Sequence, residues 1–235
     1  MNISIITQAR TGSKRLPSKI LKNIGDVNML QMHLRRAIKS KLANQFIVAT
    51  TFNSQDDIIS EQAINEGFKV YRGKEDDVLD RYYQAAKKYK SDIIVRITSD
   101  CPLIDPILID KVIEAHIINN KDFTSNISKR TYPDGFDVEV FNFKVLEQAW
   151  LEAKDISDRE HVTYYIWKNN NHFSKYEFVN EIDYSYIRLT LDYIEDYQLF
   201  HTLILNIGYY KSWKEYVEFL IQNKQLLELN KIHIH

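Results

Sequence analysis

The chain has 235 residues, 44% hydrophobic and 27% charged, with a formal net charge of −1 at pH 7. That balance supplies a sizeable core but no global basic field for nucleic acid or an anionic membrane, so a polyanionic ligand needs a local cluster of cations. The single cysteine, Cys101, excludes an intramolecular disulfide and a cysteine zinc cluster. No apolar run approaches the ~20 residues of a membrane span, and MNISIITQAR lacks a signal-peptide pattern, so the expected location is the cytosol.

In chain order, short runs rich in Ile and Val predict strands over Ile3–Thr7, Phe46–Thr51, Lys69–Arg72 and Asp92–Thr98. Between them, helical periodicity marks Asn28–Ser40, Gln55–Glu66, Val78–Tyr89 and Pro106–Asn119. In VLDRYYQAAKKY the apolar positions Val78, Leu79, Tyr82, Tyr83, Ala86 and Tyr89 recur three or four apart and form one face. Such alternation predicts right-handed βαβ crossovers and a mostly parallel sheet covered on both faces. After residue 120 the expected order is strand 122–126, strand 137–141, helices 143–153 and 159–169, strands 173–179 and 187–191, then helices 195–205 and 212–229. Without a linker, repeat or low-complexity tract, one continuous domain over 1–235 is expected. The closing KIHIH reads as a frayed end, with metal binding by His233 and His235 as the alternative.

Only six glycines and four prolines are present, and most fall in four charged loops: QARTGSKRLPSK, YRGKEDD, SDCPLIDP and YPDGFD. Loops of defined backbone shape and convergent charge are where sites are built. The first follows the first strand and places Arg10, Lys14, Arg15 and Lys19 within ten residues, with backbone N–H groups freed at Gly12 and Ser13. At the carboxyl end of a parallel strand this suits a polyphosphate. It is neither a Walker A loop nor GxGxxG, which weighs against kinase, ATPase and dehydrogenase readings. A solvated basic turn is the competing reading.

A second signal is VRITSDCPLIDP, a strand that ends in Asp100. Mg²⁺ commonly takes only one or two protein carboxylates and leaves its other positions to phosphate and water. Asp192, ending IRLTLD, holds the equivalent position in a distant segment, while Glu195 and Asp196 suit the start of a helix. The competing reading of an aspartate at a strand end is a helix N-cap.

Taken together, QARTGSKRLPSKIL, RGKEDDVLDRYYQAA, RITSDCPLIDP, YPDGFDVEVF, REHVTYYIW and LTLDYIED resemble the spore-coat polysaccharide cytidylyltransferase-like proteins. These belong with the acylneuraminate and 3-deoxy-manno-octulosonate cytidylyltransferases, and the resemblance covers about residues 2–200. It implies a three-layer α/β/α nucleotide-diphospho-sugar transferase (GT-A-like, Rossmann-like) fold, and transfer of CMP from CTP to an acidic sugar or sugar phosphate. It implies that Ala9, Arg10, Gly12, Ser13, Lys14, Arg15 and Lys19 hold the nucleotide, and that Arg72 and Asp77 approach nucleotide or sugar. Asp100 and Asp192 match the pair that binds Mg²⁺, and Arg10, Arg15, Lys19 and Asp100 are the expected catalytic groups.

The segment ITSDCPLID departs from the QGDEPLI-like stretch of the octulosonate enzymes, which leaves the acceptor open. For the acceptor pocket, Tyr132, Asp134, Asp137 and Glu139 suit sugar hydroxyls. Arg159 is either a ligand or a local ion pair with Glu160, and His161 is either a base or a structural hydrogen-bonder. Homodimers are common among such relatives, and the aromatic-rich segment 164–187 suits an interface or core packing equally. A glycosyltransferase on the same fold would usually show a DxD motif where this chain has SDCP. A non-catalytic nucleotide-binding protein would be favoured by loss of the basic loop or of Asp100, and both are present.

Overall fold

A computed structural model of the chain describes residues 1–169 and 171–234. The elements in order are β1 (Ile3–Gln8), β2 (Asn23–Ile24), β3 (Val27–Asn28), α1 (Met29–Ala37), β4 (Gln45–Thr51), α2 (Asp57–Asn65), β5 (Lys69–Gly73), α3 (Val78–Lys88), β6 (Ile93–Thr98) and α4 (Pro106–Asn119). There follow β7 (Phe123–Ser125), β8 (Glu139–Asn142), α5 (Phe143–Glu152), α6 (Ile156–Glu160), α7 (Tyr164–Lys168), β9 (Lys175–Glu177), α8 (Ile194–Ile207) and α9 (Trp213–Gln222).

Seven strands form one sheet in the order β5-β4-β1-β6-β8-β7-β9. The first four are mutually parallel, and β8 runs antiparallel to both β6 and β7. Because successive side chains point to opposite faces, each central strand feeds two cores. Ile5, Val48, Val95 and Val140 join α1, α2, α4, α8 and α9 on one face. Ile6, Ile47, Ile94 and Phe141 join α3, α5 and α7 on the other. The result is the expected three-layer α/β/α arrangement.

Local chemistry sets the helix starts. Asn28 and Gln31 form a reciprocal capping box at α1. Asp77 caps α3 and Asp105 caps α4, where Pro106 occupies the first turn. Asp105, rather than Asp100, therefore takes the N-cap role weighed for the second loop. No helix of the described residues is long and apolar enough to cross a membrane.

Several expectations for the second half are corrected. The helix expected over 159–169 is two short helices, α6 and α7, interrupted at Val162, which is buried and has φ of +52°. That left-handed conformation is an outlier for a β-branched residue. The strand expected over 187–191 contributes a single bridge, Asp134 to Arg188, because this segment pairs with loops and not with a sheet strand. Asp134 N–H donates to Ile187 O (2.9 Å), Leu189 N–H to Asp134 O (2.6 Å) and Leu191 N–H to Asp100 O (2.8 Å). The last helix stops at Gln222 and gives way to a 3₁₀ turn at Lys224–Leu226. Where it is described, the end expected to fray is held at His233, which stacks on Tyr193 at 3.6 Å and contacts Glu195 at 3.2 Å; His235 lies outside the described residues.

Gly135 makes the loop–segment pairing sterically possible. Its φ is +110°, and a Cβ there would lie 1.9 Å from Leu189 O and 2.9 Å from Thr190 N. Gly135→Ala is expected to push the 187–191 segment off the YPDG loop, costing about 3 kcal/mol or more through strain and lost contacts. Urea unfolding should show a lower midpoint with an unchanged slope.

Candidate active site

The strand order places a topological switch point between β1 and β6, because the chain runs outward from β1 to β4 and β5 before returning to β6 on the other side. Ligands of open α/β sheets bind outside the carboxyl ends of strands at such a point. A cleft of about 390 Å³ lies there, walled by the loop after β1 and by Ser99 and Asp100 after β6. Ala9, Arg10, Gly12, Ser13, Lys14, Arg15 and Lys19 line it as expected, together with Asp100, Asp192 and His161.

The basic loop is shaped by two anchors that sequence reasoning did not identify. The buried carboxylate of Asp56 accepts from the Thr11 backbone N–H and hydroxyl, both at 2.8 Å, and from the Thr51 hydroxyl. Glu75 takes Arg10 at 2.8 Å and Asn53 at 2.7 Å. Within the loop, Ser13 and Ser18 N–H groups donate to Thr11 O, and Ser18 adopts a left-handed φ of +52°.

At the loop's far end the Lys19 ammonium lies 3.1 Å from Asp100 Oδ2 and 2.8 Å from Asp192 Oδ1. Arg15 also donates to Asp192 Oδ1 at 2.7 Å and to the Tyr193 hydroxyl at 3.2 Å. Burial works against charge on Asp100, but the Lys19 ammonium and the Thr98 hydroxyl outweigh it and hold its pKa below the ordinary carboxylate value. Burial likewise opposes charge on Lys19, and the two aspartates more than offset it.

Asp192 is aimed from behind. Arg188 donates to Asp192 Oδ2 at 3.2 Å, to both oxygens of the fully buried Asp196 at 3.0 and 3.1 Å, and to Asp134 at 3.1 Å. Asp196 in turn accepts the Asp192 and Tyr193 backbone N–H groups and the Asn230 side chain. Asp196 is thus the helix-start charge anticipated for this position, and it also fixes the neighbouring arginine.

Other expected site residues stand outside the cleft. Arg72 donates to Asp57, Thr51 O and Asn53 O. Asp77 caps α3 and pairs with Arg159 at 2.6 Å, so the ion pair expected between Arg159 and Glu160 forms with Asp77 instead. Tyr132 is buried, edge-on to Trp213 at 5.1 Å. Asp137 binds Arg130 through both oxygens at 2.7 and 3.0 Å. Asp134 contacts Arg130 and Arg188; burial and the adjacent Asp137 outweigh both cations and lift its pKa to about 6. Glu139 is 1% exposed and holds Arg96, Thr163 (2.8 Å) and Trp167 (3.2 Å), which leaves it no hydroxyl of a sugar to contact.

The cleft also includes Gln8, Arg81, Arg96, Ser99 and Glu160, none of them singled out by sequence. The strand pattern gave one available signal, since Arg96 is a cation within an otherwise apolar run, IIVRIT.

A family model described as cytidylyltransferase matches residues 4–232. The chain belongs to the cytidylyltransferase family. It is 42% identical over 238 residues to an uncharacterized protein of Methanocaldococcus jannaschii, covering 98% of this chain and 95% of that one. It is 34% identical over 215 residues to the spore coat polysaccharide biosynthesis protein SpsF of Bacillus subtilis, covering 88% of each. Among solved structures, a cytidylyltransferase of Leptospira borgpetersenii superposes with a TM-score of 0.93 at 36% identity, covering 97% of both chains. Membership of this family, with the nucleotide-site fold in place, makes the protein a nucleotidyltransferase.

Within this nucleotidyltransferase site, His33 ties the two strand ends together. Its ring contacts the Thr7 hydroxyl at 3.0 Å and Cys101 O at 2.9 Å; the carbonyl can only accept, so Nδ1 carries the proton and Nε2 accepts from Thr7. Burial pushes its pKa down to about 4, whereas an unfolded histidine titrates near ~6.5. Between those values the unfolded chain binds the extra proton, so this contribution to stability is present above about pH 6.5 and is lost as pH falls towards about 4, up to about 3 kcal/mol. In denaturant titrations, His33→Gln should flatten the pH dependence across that window relative to the parent protein.

Proposed function

We propose that this family member transfers CMP from CTP to an acidic sugar of the ulosonic type or to a sugar phosphate, releasing pyrophosphate for surface polysaccharide assembly. The observation that carries this reading is the convergence of Arg10, Lys14, Arg15 and Lys19 with Asp100, just past β6, and Asp192, just past segment 187–191, in one cleft at the switch point. The spore-coat-like motifs and the likeness to SpsF support the polysaccharide assignment.

The two aspartates suit a hard divalent cation, because their oxygens already converge on one positive centre, Lys19 Nζ. Asp100 and Asp192 are the proposed holders of Mg²⁺, which would supply charge neutralisation and hold the triphosphate. Among the described residues no group of three or more His, Cys, Asp or Glu side chains could hold a metal by itself, so substrate phosphate would complete the coordination.

The acceptor hydroxyl attacks the α-phosphorus. The new P–O bond forms as the bond to the β-phosphate oxygen breaks, and its electron pair leaves with pyrophosphate. Arg15 and Lys19 neutralise the charge that grows on the leaving group, and the basic loop holds the phosphates in line. His161, on the cleft wall, is the proposed acceptor of the hydroxyl proton. The exposed Tyr164, Tyr176 and Tyr186 are proposed to contribute to a homodimer, whereas Phe173 in the same segment is buried in the core.

The direct test is pyrophosphate release from CTP over a panel of ulosonic acids and sugar phosphates. Release with at least one acidic acceptor is expected, and release with none would refute the reading. Arg15→Ala should lower kcat/KM for CTP by roughly 10²-fold, leave the circular dichroism spectrum unchanged, and alter CMP binding far less. Unchanged turnover would reduce the loop to a solvated basic turn.

A further inference from the structure

The stretch KIHIH lies far from the basic loop in sequence, yet its described part packs beside the cleft. Asn230, 2% exposed, donates its side-chain amide to Arg188 O at 3.1 Å and to Asp196 Oδ1 at 2.8 Å. From that anchor the 3₁₀ turn Lys231–His233 delivers the His233 ring onto the ring of Tyr193. The two centroids are 3.6 Å apart and the planes lie 5° from parallel. His233 Nε2 is 3.2 Å from Glu195 Oε2, so the imidazole is held at its edge as well as on its face.

Tyr193 is the neighbour of Asp192 and a partner of Arg15. Its backbone is set independently, because its N–H donates to the buried Asp196 at 2.9 Å. The backbone leaves the side-chain torsions open, and the parallel stack on His233 restricts them. The ring in turn bears on Arg15: the guanidinium carbon is 5.1 Å from its centroid, and Arg15 Nη1 donates to its hydroxyl at 3.2 Å. The Arg15 side chain is 54% exposed, and a solvated arginine loses much rotamer freedom when it grips an anion. With Asp192 at 2.7 Å on the other terminal nitrogen, two of its five N–H donors are taken among the described residues, which leaves three for phosphate oxygens. Neither Tyr193 nor His233 is among the residues that line the cleft, so both act on a ligand through Arg15.

We infer that His233 is a positioning residue of this site: stacked on Tyr193, it holds that ring against Arg15 and so presets the guanidinium for the β- and γ-phosphates of the nucleotide. Pre-organisation of this kind removes an ordering cost from binding without adding a contact to the ligand. The inference rests on the phosphate role of Arg15 in the proposed function.

Calorimetric titration of the full chain with inorganic tripolyphosphate and with CMP, in the presence of Mg²⁺, tests it as a double-mutant cycle. His233→Ala should weaken tripolyphosphate about threefold to tenfold, the range that one aromatic stack supplies, and leave CMP within about twofold. His233→Phe keeps a flat ring over Tyr193 and should bind tripolyphosphate within about twofold of the parent protein. Arg15→Ala should weaken tripolyphosphate about tenfold or more. Adding His233→Ala to it should cost less than about twofold further, because the effect of His233 passes through Arg15. Parent-like tripolyphosphate binding by His233→Ala, an equal loss for CMP, no rescue by His233→Phe, or two losses that simply multiply would each overturn the role of His233. Failure of the parent protein to bind tripolyphosphate, or parent-like binding by Arg15→Ala, would instead refute the phosphate role of Arg15 itself and the inference with it.

Discussion

Lys19 stands between two carboxylates that reach the cleft from segments far apart in the chain, and it meets both at once. Asp100 follows β6 and Asp192 follows the loop-paired segment 187–191, and with no cation between them the two carboxylates would repel each other. The ammonium at 3.1 and 2.8 Å removes that repulsion, and its long side chain carries the basic loop inward with it. One contact thus links loop position, carboxylate spacing and charge in the cleft.

Everything behind that contact serves to hold it still. Asp56 grips Thr11 at the start of the loop, and Asp196 grips Arg188, which faces the far oxygen of Asp192. Both supporting carboxylates are buried, at 2% and 0% exposure. Such groups are tolerated because their lone pairs are used: Asp196 accepts from Arg188, Asn230 and two backbone N–H groups. Removing one partner would leave a buried charge without compensation, a far larger cost than the net worth of the pair. The active geometry is therefore braced by internal ion pairs, whereas exposed pairs such as Lys231–Glu228 add little.

The opposite wall depends on a single carboxylate. Glu139 receives Arg96 from β6, Thr163 from the turn that follows His161 and Trp167 from α7. That turn is where Val162 is forced to a φ of +52°. A left-handed conformation of this kind costs roughly 1–3 kcal/mol and persists only where the surroundings fix both sides of it. Burial of Val162 and the Thr163–Glu139 bond do so, and they leave Glu160 and His161 facing the cleft.

The sequence alone determined what local physics controls. Periodicity of 2 and 3.6 marked β1, α1, β4, α2, β5, α3, β6 and α4 of the βαβ half to within a few residues, though not the short β2–β3 pair, and the clustering of cations after β1 located the basic loop that lines the cleft. Asp192 was legible as a distant second carboxylate from its place at the end of IRLTLD, and the resemblance of motifs pointed to the same pair. The tertiary structure alone decided partners that are distant in the chain. Arg159 pairs with Asp77 and not with its neighbour Glu160, and Glu139 turned from an expected sugar ligand into a buried brace. Segment 187–191 has the alternation of a strand but finds its hydrogen bonds on the YPDG loop and Asp100. Periodicity reports which face of a segment is buried, while a charged side chain takes the partner that three-dimensional proximity and desolvation make cheapest, and neither quantity is encoded within a local window.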